Sequence, residues 1–595
     1  VIGVAKTLNF IGAGNTFAMD GETVDISIAG GGGGGLGTAI DYANGTKTPF
    51  SYIDAAATVS SDLMLDVTKA GASNSYIVSV IPNITVNSGG KLTVEKNGYV
   101  VIDGNLNNLS ATNNVNFNSD SDEFSSLIVK GNSSQGTITY NRWVNSFDNY
   151  GDLVGSPLTG QVIGDFISEN SSIIDAAGSY YAFAQYENET DEWINHDINS
   201  TQQFQSGRGY AIATASGAQM SFKGGVEISD SGLVYLASNF IGNENNGSQW
   251  VLVSNPYPSY IYANPYDDDS MNDFMSENTD IMDPNYVAIY GWKEFDSYNY
   301  QVFNHTTPTP LYVAPGQAFM VAIKDASIDT YPPPPPFYPQ HVYFQEDMQT
   351  YVGGDDFIEG DPMETETDEI VLRLYNNNVL MDYTRFYFSD EMSLGLDPGY
   401  DAGHFNQSAS LMSRLPQADD GIGFIINAMS LNEAFLQPIP IEINHSAGQE
   451  FRINLHSSTI DNQDVYLEDN LNQTYTLLNE EDFVLNPNSD ISGIGRFFIH
   501  LGEVSLSNNE NQLSDINAYK KLGVDYIQIE GISFLSESAN FELYDVLGKL
   551  ILSQELSNNI NQHKISTLNL SKGVYLLNIS SLGRVFKKKI QWKCT

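Results

Sequence analysis

The chain is short of cysteine, of positive charge and of long apolar runs. Its one cysteine, Cys594, cannot form an intrachain disulfide, which excludes a disulfide-stapled scaffold. Lys and Arg number 26 against 73 Asp and Glu, for a formal net charge of -47. A surface of that sign repels phosphate backbones, which argues against nucleic acid as a partner, and it repels anionic membranes for the same reason. No run of 18 apolar residues occurs, so no segment reads as a membrane-spanning helix. Apolar stripes of period 3.6 are scarce too. What remains is 41% hydrophobic and 12% aromatic residues, enough to build cores despite the charge. The 595 residues correspond to about four domains.

Short runs of Val, Ile, Tyr, Phe and Thr alternate with polar residues and are punctuated by Gly, Asn and Asp, which predicts an all-β fold. The expected architecture is a tandem of β-sandwich domains with a short β-arc segment and a small C-terminal Ig-like β-sandwich. Residues 1–58 read as a Gly-rich N-terminal β segment. The glycines at 30–35 lack the following helix and the Lys of a phosphate-binding loop, so they predict a flexible loop or tight β packing. Residues 59–145 read as stacked β-arcs, with strands around 84–86, 92–94 and 100–102 and with Asn and Gly between them. The chain starts at Val1 with no charged, apolar leader, as would a chain whose signal peptide has been removed or one trimmed at that end. Scarce Lys and abundant Asn, Asp, Ser and Tyr suit an extracellular bacterial protein.

Residues 146–350 contain a duplication. DLVGSPLTG at 152–160 and VLVSNPYPS at 251–259 align Leu153 with Leu252 and Pro157 with Pro256, an offset of 99. Each copy continues into aromatic strands, which carry Trp193 in the first and Trp292 in the second. Each then reaches a Gly-led strand, at Gly207 and Gly316, an offset of 109, and ends near a phenylalanine, Phe222 or Phe344. The same landmarks in the same order predict two related β units packed together. The five prolines at 332–336 in the second copy predict a stiff loop. A second β-sandwich is expected over 351–507, with strands at 370–375, 384–388, 423–427, 439–443, 451–455, 465–468 and 496–501.

The last 85 residues differ in charge. Residues 1–510 hold 16 basic and 66 acidic side chains, whereas 511–595 hold 10 basic and 7 acidic. Residues 508–595 therefore read as a separate domain with strands that turn at Gly548 and Gly573. The strings YDVLGKLI, LSKGVYLLNI and RVFKKKI resemble the type A C-terminal sorting domain of type IX secretion substrates in Bacteroidota. The resemblance implies export through the periplasm and across the outer membrane to the cell surface or the medium. It also implies recognition by the translocon and its outer-membrane shuttle protein, and release or attachment to surface lipopolysaccharide. Carried over by position, Asp545, Gly548, Gly573, Tyr575, Lys587, Lys588 and Lys589 form the signal. The residues before it are similar to repeats of flavobacterial secreted surface proteins.

Signals of catalysis are sparse. The eight histidines show no HxH or HxxxH spacing, so no zinc site is expected, and no GxSxG elbow occurs. Hard oxygen ligands in loops suit calcium. Asp267, Asp268, Asp269 and Asp273 form one candidate set, Asp397 and Asp401 a second, and Asp355, Asp356 and Asp361 a third. None matches an EF-hand, and solvated acidic loops account for them as well. Tyr257, Tyr260, Tyr262 and Tyr266 crowd one segment, where they serve either as a sugar-stacking surface or as core. The expectation is a non-catalytic surface protein for adhesion or surface structure. Its alternatives are a subunit of an extracellular assembly through self-association, and a polysaccharide hydrolase or its glycan-binding partner.

Overall fold

In the computed structural model the described residues run from 83 to 592 with interruptions, preceded by short strands between 16 and 81. The longer undescribed stretches are 1–15, 28–39, 66–79, 236–247, 325–339, 357–367 and 503–515. The glycine run at 30–35, the prolines at 332–336 and Cys594 lie outside the described residues.

The arc-like spacing resolves into a three-sided parallel β-solenoid. One side stacks Ile40–Asp41, Ala57–Val59, Ile84–Val86 and Leu106–Asn108. The second stacks Gly45–Lys47, Asp62–Leu65, Lys91–Val94, Val115–Asn118 and Ile138–Phe147. The third stacks Val80–Ile81, Tyr99–Ile102 and Ser126–Val129. Ile84 pairs with Leu106, so one coil there takes 22 residues. From residue 84 on, the short strands send Val, Ile, Leu or Phe inward, and Val86, Val94, Ile102, Val115, Phe117 and Leu127 are buried in one core. The coil already includes strands before residue 58. It ends where Ser216–Gly224 pairs antiparallel with Ile138–Phe147, which closes an edge that would otherwise remain open.

The duplication appears as two four-stranded sheets of identical order. The first runs Gly151–Val154, Tyr210–Ala213, Phe183–Glu187, Glu192–Asn195. The second runs Trp250–Ser254, Ala318–Ala322, Ile289–Trp292, Tyr300–Phe303. Equivalent side chains set equivalent turns. Leu158 N donates to Ser156 Oγ at 3.2 Å, and Tyr257 N donates to Asn255 Oδ1 at 3.0 Å. Gly207 and Gly316 both adopt positive φ, 77° and 64°. The units also exchange bonds reciprocally. Gly155 N donates to Gly316 O at 2.8 Å, and Ser254 N donates to Gly207 O at 2.7 Å. Val154 bridges Gln317 as Val253 bridges Arg208. At offsets of 99 and 109 these are the same contacts made twice, so an internal two-fold relates the units. Arg142 joins them to the solenoid. Its buried guanidinium donates to Pro315 O at 3.0 Å, lies 3.6 Å from both Asp152 and Asp356, and sits over the Phe124 ring.

Beyond residue 368 an eleven-stranded sheet curls around one core that takes Leu372, Phe386, Leu411, Ile441, Ile453, Leu467 and Ile499 from across its width. Its face around Ala402, Phe405, Ile425 and Ile426 packs on the second duplicated unit. The C-terminal piece is a small sandwich. Three strands (Asn517–Tyr519, Tyr526–Glu530, Gln562–Ser566) face four (Leu550–Leu556, Ala539–Asp545, Gly573–Ser581, Arg584–Trp592) across Ile527, Ile529, Phe541, Leu543, Leu577 and Ile579.

Candidate functional site: the junction with the C-terminal sandwich

The most highly charged buried cluster near the chain end lies between the large-sheet domain and the C-terminal sandwich. Arg414 follows the strand Leu411–Ser413 and is fully buried. Its Nε and Nη2 donate to Asp419 at 3.2 and 3.1 Å, and its Nη1 donates to Glu442 at 2.6 Å. These carboxylates belong to the same domain. From across the junction Glu530 approaches Nη1 at 3.9 Å, and the Tyr519 ring lies under the guanidinium at 5.3 Å. Glu530 Oε1 accepts from the Tyr519 hydroxyl at 2.8 Å, from Gln528 at 2.6 Å and from Gln562 at 3.1 Å. Burial raises the Glu530 carboxyl above its usual range, and Arg414 opposes that rise.

A second cation closes the other side. Lys588 Nζ donates to the Asp419 carbonyl at 2.8 Å and to Asn517 Oδ1 at 3.3 Å, and the Asn517 amide donates to the Asp419 carboxylate. Burial lowers the Lys588 pKa, opposed by Asp419 and Asp420. Gly421 makes the approach possible. Its φ is 87°, and a Cβ there would lie 2.0 Å from the Tyr519 ring. A polar cleft of about 470 Å³, lined among others by Gln407, Glu442, Tyr526, Gln562 and Lys564, opens beside the cluster. These groups join two domains by charge-assisted hydrogen bonds.

The signal residues separate into different roles. Strand alternation sets Lys588 opposite the core residue Leu577, on the junction side, and leaves Lys587 exposed opposite Asn578. The side chain of Lys589 and all of Gly548 lie outside the described residues. Asp545 closes its hairpin: its N donates to Lys549 O at 3.0 Å, and its Oδ1 accepts from Lys549 N at 2.9 Å. Gly573 begins a strand opposite Trp592. Tyr575 is buried in the core, with its hydroxyl donating to Ser571 O at 2.8 Å.

The described members of the candidate calcium sets are each engaged within the protein. Asp267, Asp268, Asp269 and Asp361 lie outside the described residues. Asp273 caps the helix Phe274–Asn278 by accepting from Ser276 N at 2.8 Å. Asp397 accepts from Ser393 N at 2.7 Å, and Asp401 accepts from Asp397 N and Ala428 N, both at 2.6 Å. Burial pushes Asp401 up to about 8, opposed by the two backbone N–H groups it accepts from. Asp356 belongs to the Arg142 cluster. Among the described residues no group of three or more His, Cys, Asp or Glu is placed to hold a metal ion. Of the two readings of the tyrosine segment, the core one holds for its first two members. Tyr257 and Tyr260 are buried, with hydroxyls donating to Phe344 O at 2.9 Å and Gly354 O at 2.7 Å; Tyr257 lies in the core of the second duplicated unit, and Tyr260, on the strand Tyr260–Tyr262, packs with Phe124 and Ala314. Tyr266 lies outside the described residues.

Sequence reasoning missed Arg414, Asn517 and Tyr519. A signal for the first was available: an arginine between Leu411-Met412 and Leu415, in a stretch with only 16 basic residues before position 511, is a cation with an assigned partner.

Comparison with known proteins follows the same division of the chain. No curated protein matches. A solved structure titled "Biofilm associated protein - BSP domain" aligns at 9% identity over 79% of this chain and 91% of that one, with a TM-score of 0.14, a likeness too slight to carry an argument. Residues 524–593 match the model of the "Secretion system C-terminal sorting domain". The small sandwich is thus a sorting domain, which makes the chain a type IX secretion substrate that interacts with that machinery and is exported to the cell surface or beyond. Residues 58–500 match the model described as "Domain of unknown function (DUF8693)", and a match over that much of the chain places the protein in that family, with a sorting domain behind it.

Proposed function

We propose that the protein is a non-catalytic component of the bacterial surface that acts in adhesion or as a structural element after export. The observation that carries this reading is where the two most deeply buried arginines, Arg142 and Arg414, stand. Arg142 ties the solenoid to both duplicated units, and Arg414 with Lys588 ties the large-sheet domain to the sorting domain. These are joints between modules, and each cation is already held by carboxylates and carbonyls. We assign the translocon and its outer-membrane shuttle protein as partners of the sorting domain, the outer face of the outer membrane of a Bacteroidota cell as the destination, and surface lipopolysaccharide as an attachment point. Glycans are the class of ligand to screen.

The test compares cells with and without the gene for attachment to glass, to glycan-coated beads and to one another, and incubates the purified full chain with a polysaccharide panel. Loss of attachment without sugar release supports the reading. Sugar release by the purified chain refutes it.

A further inference from the structure

The two duplicated units share a strand order but are not covered alike. In the second unit the edge strand Tyr300–Phe303 is buried, with Tyr300, Val302 and Phe303 at most 8% exposed. The large-sheet domain covers it. Phe405 stacks on Tyr300 at 4.1 Å, Ala402, Ile425 and Ile426 join the same cluster, and the Tyr383 hydroxyl hydrogen-bonds the backbone at Val302. In the first unit the equivalent edge is Glu192–Asn195. His196 is bonded to Phe183 as Phe303 is paired with Ile289, which puts Trp193 where the second unit has Tyr300. Here all four strand residues are exposed, with Trp193 at 43% and Ile194 at 44%.

The backbone of this edge is open as well. His196 N donates to Phe183 O at 2.9 Å, and antiparallel alternation therefore turns the N–H and C=O of Trp193 and Asn195 away from the sheet. Among the described residues no strand pairs there. Trp193 leans on Tyr186 at 5.2 Å, on one face of the sheet, and Ile194 lies on the other. The surroundings are of one sign. Residues 187–207 contain Glu187, Glu189, Asp191, Glu192 and Asp197 and no Lys or Arg, and the adjacent Arg208 is held by Glu187 at 3.7 Å.

We propose that Glu192–Asn195 is a docking edge that takes, as an added strand, an extended segment of a partner protein in which basic and apolar residues alternate. Backbone pairing with Trp193 and Asn195 supplies the hydrogen bonds. Alternate side chains of the added strand fall on opposite faces. A cation on one face lies over the Trp193 ring, and an apolar group on the other lies against Ile194. With Glu187 held by Arg208, the other four carboxylates favour a basic segment and disfavour the strongly acidic body of a second copy.

The probe is a labelled synthetic peptide of alternating Lys and Val, titrated into the full chain at low ionic strength. Saturable binding is expected. It should weaken about three- to fivefold in Trp193→Ala, and be lost in Asn195→Pro, which removes an outward N–H without touching the ladder to Phe183–Glu187. Circular dichroism checks that both variants fold, and Glu192→Lys, expected to weaken binding, replaces Asn195→Pro if that variant does not. Absence of binding overturns the proposal, as does binding that these substitutions leave unchanged, which would assign it to overall charge. Concentration-dependent self-association abolished by Trp193→Ala would give the edge to a second copy and overturn the assignment of a basic partner.

Discussion

Replacing Arg414 with Leu tests whether the junction is held by charge. The Arg414 side chain is 2% exposed and faces three carboxylates, Asp419, Glu442 and Glu530. Removing the only guanidinium among them leaves buried negative charge without its counter-ion, a change that costs about 3–5 kcal/mol. The loss should fall first on the junction, because two of the groups that lose the cation, Glu530 and Tyr519, belong to the sorting domain. Glu530 already has a raised pKa from burial, and Arg414 is what restrains it. Without that restraint the folded variant holds protons at pH values where its unfolded chain has released them. The deficit relative to wild type should therefore shrink as the pH falls from 7.5 to 5, and Arg414→Leu with Glu530→Gln should recover part of it at pH 7.5. The assay is urea unfolding of the full chain at the two pH values, with hydrogen exchange followed at residues 516–519 and 584–592. A loss below about 1 kcal/mol, or one equal at both pH values, would refute the reasoning.

Asp152, pushed upward by burial against the pull of Arg142, and Asp401, pushed up to about 8 by burial, both have raised carboxyls. A carboxyl raised in the folded state contributes stability that is complete below its unfolded value and is lost as the pH rises through the folded one. The melting temperature should fall between pH 5 and pH 8.5, with a shallower fall in Asp401→Asn; a rise over that window would contradict the burial argument. Gly421→Ala meets the Tyr519 ring and a left-handed backbone at once, so exchange at 516–519 should accelerate while the core around Ile441 stays protected; unchanged exchange would mean that the ring shifts freely. Lys588→Gln should loosen the junction by about 1.5–3 kcal/mol, whereas Lys587→Gln on the exposed side should stay within about 0.5 kcal/mol. Equal effects in urea unfolding would show that the strand does not distinguish its two sides.

Much of the fold was legible because its repeats rest on backbone requirements that leave residues behind. The landmarks offset by 99 and 109 are positions where the chain needs a particular side chain or a positive φ. Ser156 and Asn255 both accept the N–H two residues on, and Gly207 and Gly316 both sit in the left-handed region. The solenoid was visible in the short spacing of Val and Ile runs, but its first coils were not, since residues 40–59 carry little apolar pattern. The helix Ile163–Glu169 escaped notice because it spans under two turns and has no side-chain cap. The described members of the acidic sets show a different limit. A sequence shows that Asp273, Asp397 and Asp401 have oxygens to offer, but not that backbone N–H groups already occupy them. The tyrosine segment left a sugar-stacking surface and a core both open, because composition does not say which way a ring points; Tyr257 and Tyr260 are core.

The contrast in net charge between the chain's two parts explains less of the junction than it first suggests. Residues 1–510 carry -50 and residues 511–595 carry +3, so a basic sorting domain set against an acidic body is the natural expectation. Lys588 on Asp419 obeys it. The central pair reverses it: the acidic body contributes Arg414, and the basic sorting domain contributes Glu530. Net charge acts over about a Debye length and favours approach, but any basic surface would be favoured equally. A cation from the acidic side with a carboxylate from the basic side accepts one docking geometry and leaves a misregistered one with like charges buried together. The attraction belongs to the composition, and the choice of this interface belongs to the buried groups that meet there: Arg414, Asp419, Glu530 and Lys588, with Asn517 and Tyr519 bonded among them and Gly421 leaving room for the ring.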